Sequence, residues 1–385
     1  MSSVGFDALL RTLNHLPWQT FFNASTGGEL GRGGPHTGGT GYTTLDSGLN
    51  AQGCLFARSY FLGTASKQSA SVGGAKAIAE IARLAKKVFN LVRFEHLLCD
   101  PESSQQNDQG TAPPFTFDDV GGCGALQRLQ PDGAYGYSEL HYTVDLAFHQ
   151  ACAGKRADEC ANKPIGRMWA AWQKRKHLPI HNYTAPDGTV YPLLSMWPSY
   201  IVHLPYFSTN SFNSDPTWSE LFNSHWRADW AYYNSSAYFG GDGGRYGLAA
   251  GFTDAQCSAK GGGYEADMIV NKGSSQDVPG AQGCRLFSPY AVAGYLPANP
   301  ELIAAHLLEL LAAGEAVPCR FGCMSNTDFM MLRGSLLKPA FNINNGVSMV
   351  DFASELFGLA AYLLSKDFFP KYTKHNWTDL AESPK

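Results

Sequence analysis

Apolar positions along this chain recur mostly at spacings of three and four, the period of helices that turn one face to a core. Between Ala75 and Phe94 the stripe runs through Ile78, Ile81, Leu84, Val88, Leu91 and Val92. Asn299 and Pro300 supply a cap and a first-turn proline for a helix that carries Leu302, Ile303, Leu307, Leu310 and Leu311 and ends at Gly314. The same patterning predicts helices over about 4–15, 46–62, 138–152, 164–175, 191–204, 216–234, 288–296, 327–337 and 349–365. Strand signals are sparse. Thr189-Val190-Tyr191 can pair briefly with Asn182-Tyr183-Thr184 across the turn Pro186-Asp187-Gly188.

About eleven helices result, joined by loops of very unequal length. The long loops, 24–45, 100–137, 239–286 and 317–326, hold most of the Gly, Ser, Gln and Pro. Long loops inside a compact domain are usually functional. No linker separates two cores and no repeat is visible, so residues 1–385 read as one all-α domain. The simplest architecture is a double ring of six inner and six outer helices, an (α/α)6 toroid.

Composition narrows the partners. A hydrophobic content of 44% against 16% charged residues is ample for a large core, and a net charge of −4 leaves no basic face for nucleic acid or an anionic membrane. Apolar windows such as Leu302 to Ala313 contain His and Glu and fall short of the roughly 20 residues a membrane span needs. The first residues, Met1-Ser2-Ser3-Val4, do not begin a secretory signal. Nine cysteines and four glycosylation-type triplets, at Asn23, Asn182, Asn234 and Asn376, nevertheless point to an extracellular protein whose leader lies upstream. The expected bridges are Cys319–Cys323 and Cys152–Cys160, then Cys99–Cys123 and Cys257–Cys284, with Cys54 left as an odd buried thiol. No paired Cys-x-x-Cys or adjacent His ligands argue for a metal, and no organic cofactor is expected.

Several chemistries lack their motifs. The Gly clusters between Gly27 and Gly39 follow no strand and contain no phosphate-loop lysine, so they read as a flexible lip of a cleft. There is no serine nucleophile elbow and no His-Glu-x-x-His. Carboxylates at helix starts remain. Asp46 in Thr-Thr-Leu-Asp-Ser-Gly, Glu139 in Gly-Tyr-Ser-Glu-Leu-His and Asp351 in Val-Ser-Met-Val-Asp-Phe each lead an apolar run. Each is also a residue the helix dipole favours in a first turn, so a purely structural role is open. Small residues beyond them, in Gly48-Leu49-Asn50-Ala51-Gln52-Gly53 and Phe357-Gly358-Leu359-Ala360, permit the close packing an inner ring requires. Carboxylates repeated at one end of several buried helices would build an acidic pocket, and a pair of acids flanking a wet groove is the usual tool for cutting a glycosidic bond.

Ordered along the chain, Thr-Thr-Leu-Asp46-Ser-Gly-Leu, Gly-Tyr-Ser-Glu139-Leu, Tyr246-Gly-Leu-Ala-Ala-Gly251, Gly263-Tyr-Glu-Ala-Asp267, Phe287-Ser-Pro-Tyr-Ala-Val-Ala-Gly-Tyr295 and Met349-Val-Asp-Phe-Ala-Ser-Glu-Leu-Phe-Gly-Leu359 give the sequence a recognisable outline. It resembles the endo-β-1,2-glucanases, particularly glycoside hydrolase family 162, and more distantly family 144 and the glycoamylase-like domains of cyclic β-1,2-glucan synthases. The resemblance implies an (α/α)6 toroid that hydrolyses β-1,2-glucan, releasing sophorooligosaccharides, with inversion. It implies Glu139 as general acid, Asp351 as the base that activates water, and Asp46 as a supporting acid in the cleft. Proton delivery in such relatives runs through a substrate hydroxyl. The bacterial branch carries Asp-Gln-Gly where this chain has Asp351-Phe352-Ala353, which leaves Asp328 and Glu355 as alternative bases. Tyr137, His141, Tyr264, Glu265, Asp267 and Glu355 are the expected substrate contacts, the middle three in a Gly-rich loop, and the enzyme is expected to be a monomer. Two rivals stay open: a transglycosylase or a hydrolase of another β-glucan on the same fold, and a carbohydrate-binding protein without catalysis.

Overall fold

A computed structural model describes residues 44–68, 72–91, 94, 98–99, 116–117, 127–128, 141–163, 165–166, 169, 181–234, 246–253, 263–266, 268–269, 284–313, 329–332, 335–339 and 349–380. The chain divides into two compact units, one formed by Met1–Leu178 with Pro370–Lys385 and the other by Pro179–Phe369.

The first unit is built on α1 (Thr44–Gln68), α2 (Val72–Leu91), a small antiparallel sheet of β1 (Leu98–Cys99), β2 (Thr116–Phe117) and β3 (Gln127–Arg128), and then α3 (His141–Cys152) and α4 (Ala157–Ala161). Its core joins Ala51 and Leu55 of α1, Phe89 of α2, and Val144, Leu146 and Ala147 of α3 to Leu380 near the C-terminus. Of the glycines expected to allow close packing, Gly48 and Gly358 do so, whereas Gly53 faces open space. A Cβ at Gly48 would stand 2.1 Å from the Thr143 hydroxyl oxygen, so only glycine lets α1 approach α3 there. One turn on, the buried Gln52 amide donates to the Tyr142 carbonyl at 3.3 Å and to the Asp145 carboxylate at 3.2 Å. The far end of α3 is sealed by stacked rings, His149 on Trp377 at 4.0 Å and Phe148 on Trp169 at 4.8 Å.

Cys152 and Cys160 form the expected disulfide, tying the end of α3 to α4. It acts mainly by restricting the unfolded chain. Cys54 is a free, half-buried thiol whose pKa burial raises, in keeping with the odd cysteine expected there. Each of the other three expected bridges involves Cys123, Cys257, Cys319 or Cys323, which lie outside the described residues.

The second unit opens with the hairpin read from the sequence. β4 (His181–Thr184) pairs β5 (Val190–Leu193) in the register Thr184↔Val190, closed by Gly188 at φ +86° and by the Asp187 carboxylate accepting from Thr189 N–H. Then come α5 (Tyr200–Ser208), α6 (Asn210–Asn213) and α7 (Pro216–Tyr233). β6 (Ala250–Thr253) and β7 (Gly263–Ala266) form an antiparallel ribbon, and β8 (Cys284–Phe287) leads into α8 (Pro289–Gly294) and α9 (Pro300–Ala312). β9 (Phe329–Leu332), β10 (Ser335–Pro339) and α10 (Met349–Leu364) complete it. Both long helices α7 and α9 begin as their sequences dictate. Asp215 and Asn299 accept from Thr217 and Leu302 N–H, each with proline in the first turn.

Helices dominate, as the periodicity implies, but two segments differ from the expectation. Residues 191–204 are not one helix, because Val190–Leu193 belongs to β5 and the helix starts only after Pro198. Residues 327–337 are not helical either. Phe329–Leu332 and Ser335–Pro339 are paired strands, Leu332 opposite Ser335, with β8 beyond them. A four-residue apolar run satisfies both periods, and here the pairing with β8 and β10 decides for strand.

Candidate active site

Six of the nine residues expected at the site fall among the described residues. Asp46 lies in the first turn of α1 and Asp351 in the first turn of α10, both as expected from their sequences. His141 opens α3 and Glu355 lies one turn beyond Asp351, and each is 1% exposed. Tyr264 and Glu265 sit on β7, opposite Phe252 and Gly251, in a paired ribbon rather than the Gly-rich loop expected for them. Glu139, Tyr137, Asp267 and the alternative base Asp328 lie outside the described residues.

Within the first unit, the contact of Gly48 with Thr143 joins the beginnings of α1 and α3. Asp46 is two residues before the first of these, and Glu139 stands four before the second in the sequence. The two helices thus start at one end of the unit.

Within the second unit, the same convergence is built around a buried carboxylate that the sequence reading missed. Asp229, near the end of α7, is fully buried. Its oxygens accept from Leu248 N–H at 2.9 Å, Gly247 N–H at 3.3 Å and the Ser199 hydroxyl at 3.2 Å. Gly247 has φ +115°, and a Cβ there would meet the Ser288 carbonyl at 2.7 Å. The segment held by Asp229 bonds in turn to the residues before two helices: Ser199 N–H donates to Leu248 C=O at 3.0 Å, and Ser288 N–H to Gly247 C=O at 2.9 Å. Further along, the rings of His203 and Tyr295 meet at 4.4 Å, so α5 and α8 start together and run the same way. By contrast α7 runs against α5, since Tyr206 stacks on Phe222 near its start while Ser199 reaches Asp229 near its end.

The β6–β7 ribbon grows from this end. The segment 246–249 leads into β6, and beyond β7 Ile269 N–H donates to Met196 C=O at 2.8 Å, just before α5. Tyr264 and Glu265 are therefore carried on a ribbon rooted at both feet at the start of α5.

Electrostatics here are those of a dry interior. Burial holds the Tyr295 and Tyr246 hydroxyls well above the ordinary tyrosine range, and the charge of Asp229 adds to it. His225, hydrogen-bonded through Nδ1 to Tyr295 at 2.5 Å, is pulled down to about 4 by burial, against the opposing pull of the Trp197 and Ser195 backbone. His203 is pushed down by burial and by His225 beside it. A histidine with a lowered native pKa leaves stability intact above its unfolded pKa and removes it as pH falls toward the native one. Chemical denaturation from pH 7 to 4 is therefore expected to show stability falling below about pH 6.5, His225 alone contributing about 3 kcal/mol across the window. Flat stability across that range would contradict neutral buried imidazoles.

Asp229 was legible only in part. Trp226-Arg227-Ala228-Asp229 lies inside a helical pattern, where a lone Asp reads as a solvated position. The signal was that Ser224, His225, Ala228 and Asp229 share the face of Phe222 and Leu221. Among the described residues there is no helix long and apolar enough to cross a membrane and no cluster of His, Cys, Asp and Glu that could hold a metal ion.

No protein-family model and no curated protein sequence matches this chain. Solved structures do match over 97% of it. The endo-β-1,2-glucanase from Chitinophaga pinensis, in complex with sophorotriose and glucose, aligns with a TM-score of 0.56 at 14% identity over 78% of its own chain. The β-1,2-glucanase from Parabacteroides distasonis aligns with a TM-score of 0.58 at 13% identity over 49% of its chain. A glucoamylase candidate from Bacteroides caccae aligns with a TM-score of 0.57 at 14% identity over 78% of its chain. The chain has the fold that these three share.

Proposed function

We propose that this chain is a glycoside hydrolase that cleaves β-1,2-glucan internally, with residues 1–385 forming one (α/α)6 toroid. The observation that carries the reading is the shared fold with two β-1,2-glucanases, one of them holding sophorotriose. It is supported by the helix starts that gather within each unit, α1 with α3 and α5 with α8. A toroid of parallel inner helices presents all its helix starts to one cleft.

On this reading Glu139 is the general acid and Asp351 the general base of an inverting displacement. The base activates a water against the anomeric carbon, the glycosidic oxygen leaves, and the acid returns its proton through a substrate hydroxyl. Asp351 suits the base because the first turn of α10 stabilises the charged carboxylate. The acid needs the opposite. A nearby like charge raises a carboxyl's hold on its proton, and Asp46, in the first turn of α1, is the residue proposed to supply it. Tyr264 and Glu265 of the ribbon, with Asp267 and Tyr137, contact substrate hydroxyls, and His141 and Glu355, each 1% exposed, act from beneath the wall of the cleft. No metal and no cofactor takes part in this scheme.

The disulfide Cys152–Cys160 and the exposed acceptor asparagines Asn182 and Asn376 support a secreted protein, and the enzyme is proposed to act as a monomer. Incubation with β-1,2-, β-1,3- and β-1,4-glucans tests the reading. Sophorooligosaccharides of mixed length from the first substrate alone are expected, and longer or cyclic glucans would show a transglycosylase instead.

A further inference from the structure

Between Leu193 and Ser199, just before α5, the chain is buried or half-buried at every residue but one, and the exception is a tryptophan. Trp197 is 45% exposed. Its backbone is fixed on all sides. Trp197 N–H donates to the Ser195 hydroxyl at 3.1 Å, Met196 C=O accepts from Ile269, and Ser199 is bonded to Leu248 and Asp229. Beneath it the buried His225 ring lies against the Ser195 and Trp197 backbone. Pro198 follows and adds its own rigidity. Trp230, exposed to a similar degree, follows Asp229 in the last turn of α7 and is carried on a helix, whereas Trp197 stands on the tethered segment itself.

We infer that Trp197 is a sugar-binding platform, on which the apolar face of one glucosyl residue of the β-1,2-glucan chain stacks. This rests on the proposed glucanase reading and deepens it by naming a residue that holds the substrate. An indole gives a large, rigid, apolar surface with few rotamers to freeze, which suits a neutral sugar ring that carries C–H groups on its faces. Its position fits the occupant. The segment stands at the start of α5, and Ile269, which bonds to it, follows three residues after β7, the strand that bears Tyr264 and Glu265. The backbone thus brings the segment that carries Trp197 and the ribbon that bears Tyr264 and Glu265 to one end of the second unit. The tethers of the segment are made by its backbone and by Ser195 and Ser199, so truncating the Trp197 side chain leaves them in place.

The test compares wild type, Trp197→Ala and Trp197→Tyr for hydrolysis of β-1,2-glucan and for retardation in native gels cast with the same glucan. Thermal unfolding of each variant establishes that the fold is intact. In Trp197→Ala, KM is expected to rise about tenfold with kcat within about twofold, and retardation to be largely lost, the pattern of lost uniform binding. Trp197→Tyr should recover most of both. An active wild type with unchanged KM and retardation in Trp197→Ala overturns the platform alone. A folded wild type that neither binds nor cleaves β-1,2-glucan overturns the glucanase reading, and the platform with it.

Discussion

Replacing Glu139 or Asp351 by its amide is expected to lower kcat on β-1,2-glucan by at least about 10²-fold, with little change in substrate binding. Amides keep the shape and the hydrogen bonds of the acids and remove only the proton transfer. The two losses should differ in their pH dependence. In Glu139→Gln the alkaline limb of the rate profile disappears, because no acid remains to be titrated, and in Asp351→Asn the acid limb disappears. An Asp351→Asn variant that retains activity would transfer the base to Asp328 or Glu355. Glu355 is nearly fully buried one turn along the same helix, and burial opposes the charged form a base must have. Near-wild-type rates in Glu139→Gln would remove it from the mechanism.

Asp229→Ala is expected to be the most destabilising single change in the second unit, by about 3–5 kcal/mol. The fully buried carboxylate satisfies two backbone N–H groups and one hydroxyl. Truncation would leave the two backbone N–H groups buried and unpaired, while the Ser199 hydroxyl keeps the Leu248 carbonyl, which it also reaches at 2.8 Å. Asp229→Asn should cost less, since its carbonyl oxygen can still accept, although its amino group enters a cluster already rich in donors. Urea denaturation checks both. A loss under about 1 kcal/mol in Asp229→Ala would mean that the segment 246–249 is held by its own backbone bonds to Ser199 and Ser288. Activity should fall with stability, because that segment joins the starts of α5 and α8 and roots the ribbon.

The convergence of helix starts explains which parts of this protein could be read from its sequence. α9 was legible because its signals are local: Asn299 caps, Pro300 starts, and the apolar stripe keeps one period to the end. The β4–β5 hairpin was legible for the same reason, since Asp187-Gly188 fixes its own turn. Cys152–Cys160 closes a short polar loop, so its partners lie near in sequence as well as in space. Pairings set by distant residues were not legible. Phe329–Leu332 became a strand because β8, more than forty residues earlier, pairs with it, and nothing in a four-residue apolar run announces such a neighbour. Asp229 is the clearest instance. Its partners are Ser199 and Gly247-Leu248, brought together only by the antiparallel packing of α7 on α5. The acids at helix starts were found because capping is local, whereas the carboxylate that joins the starts of α5 and α8 was hidden in α7.

The central claim is an inverting hydrolysis of β-1,2-glucan by two carboxylates. NMR of the first product anomer formed from β-1,2-glucan tests it most directly. The account requires sophorooligosaccharides whose new reducing ends appear first in the α configuration and then mutarotate, because water attacks the face opposite the leaving group. New reducing ends that appear first as β would mean retention through a covalent glycosyl-enzyme, and would contradict it.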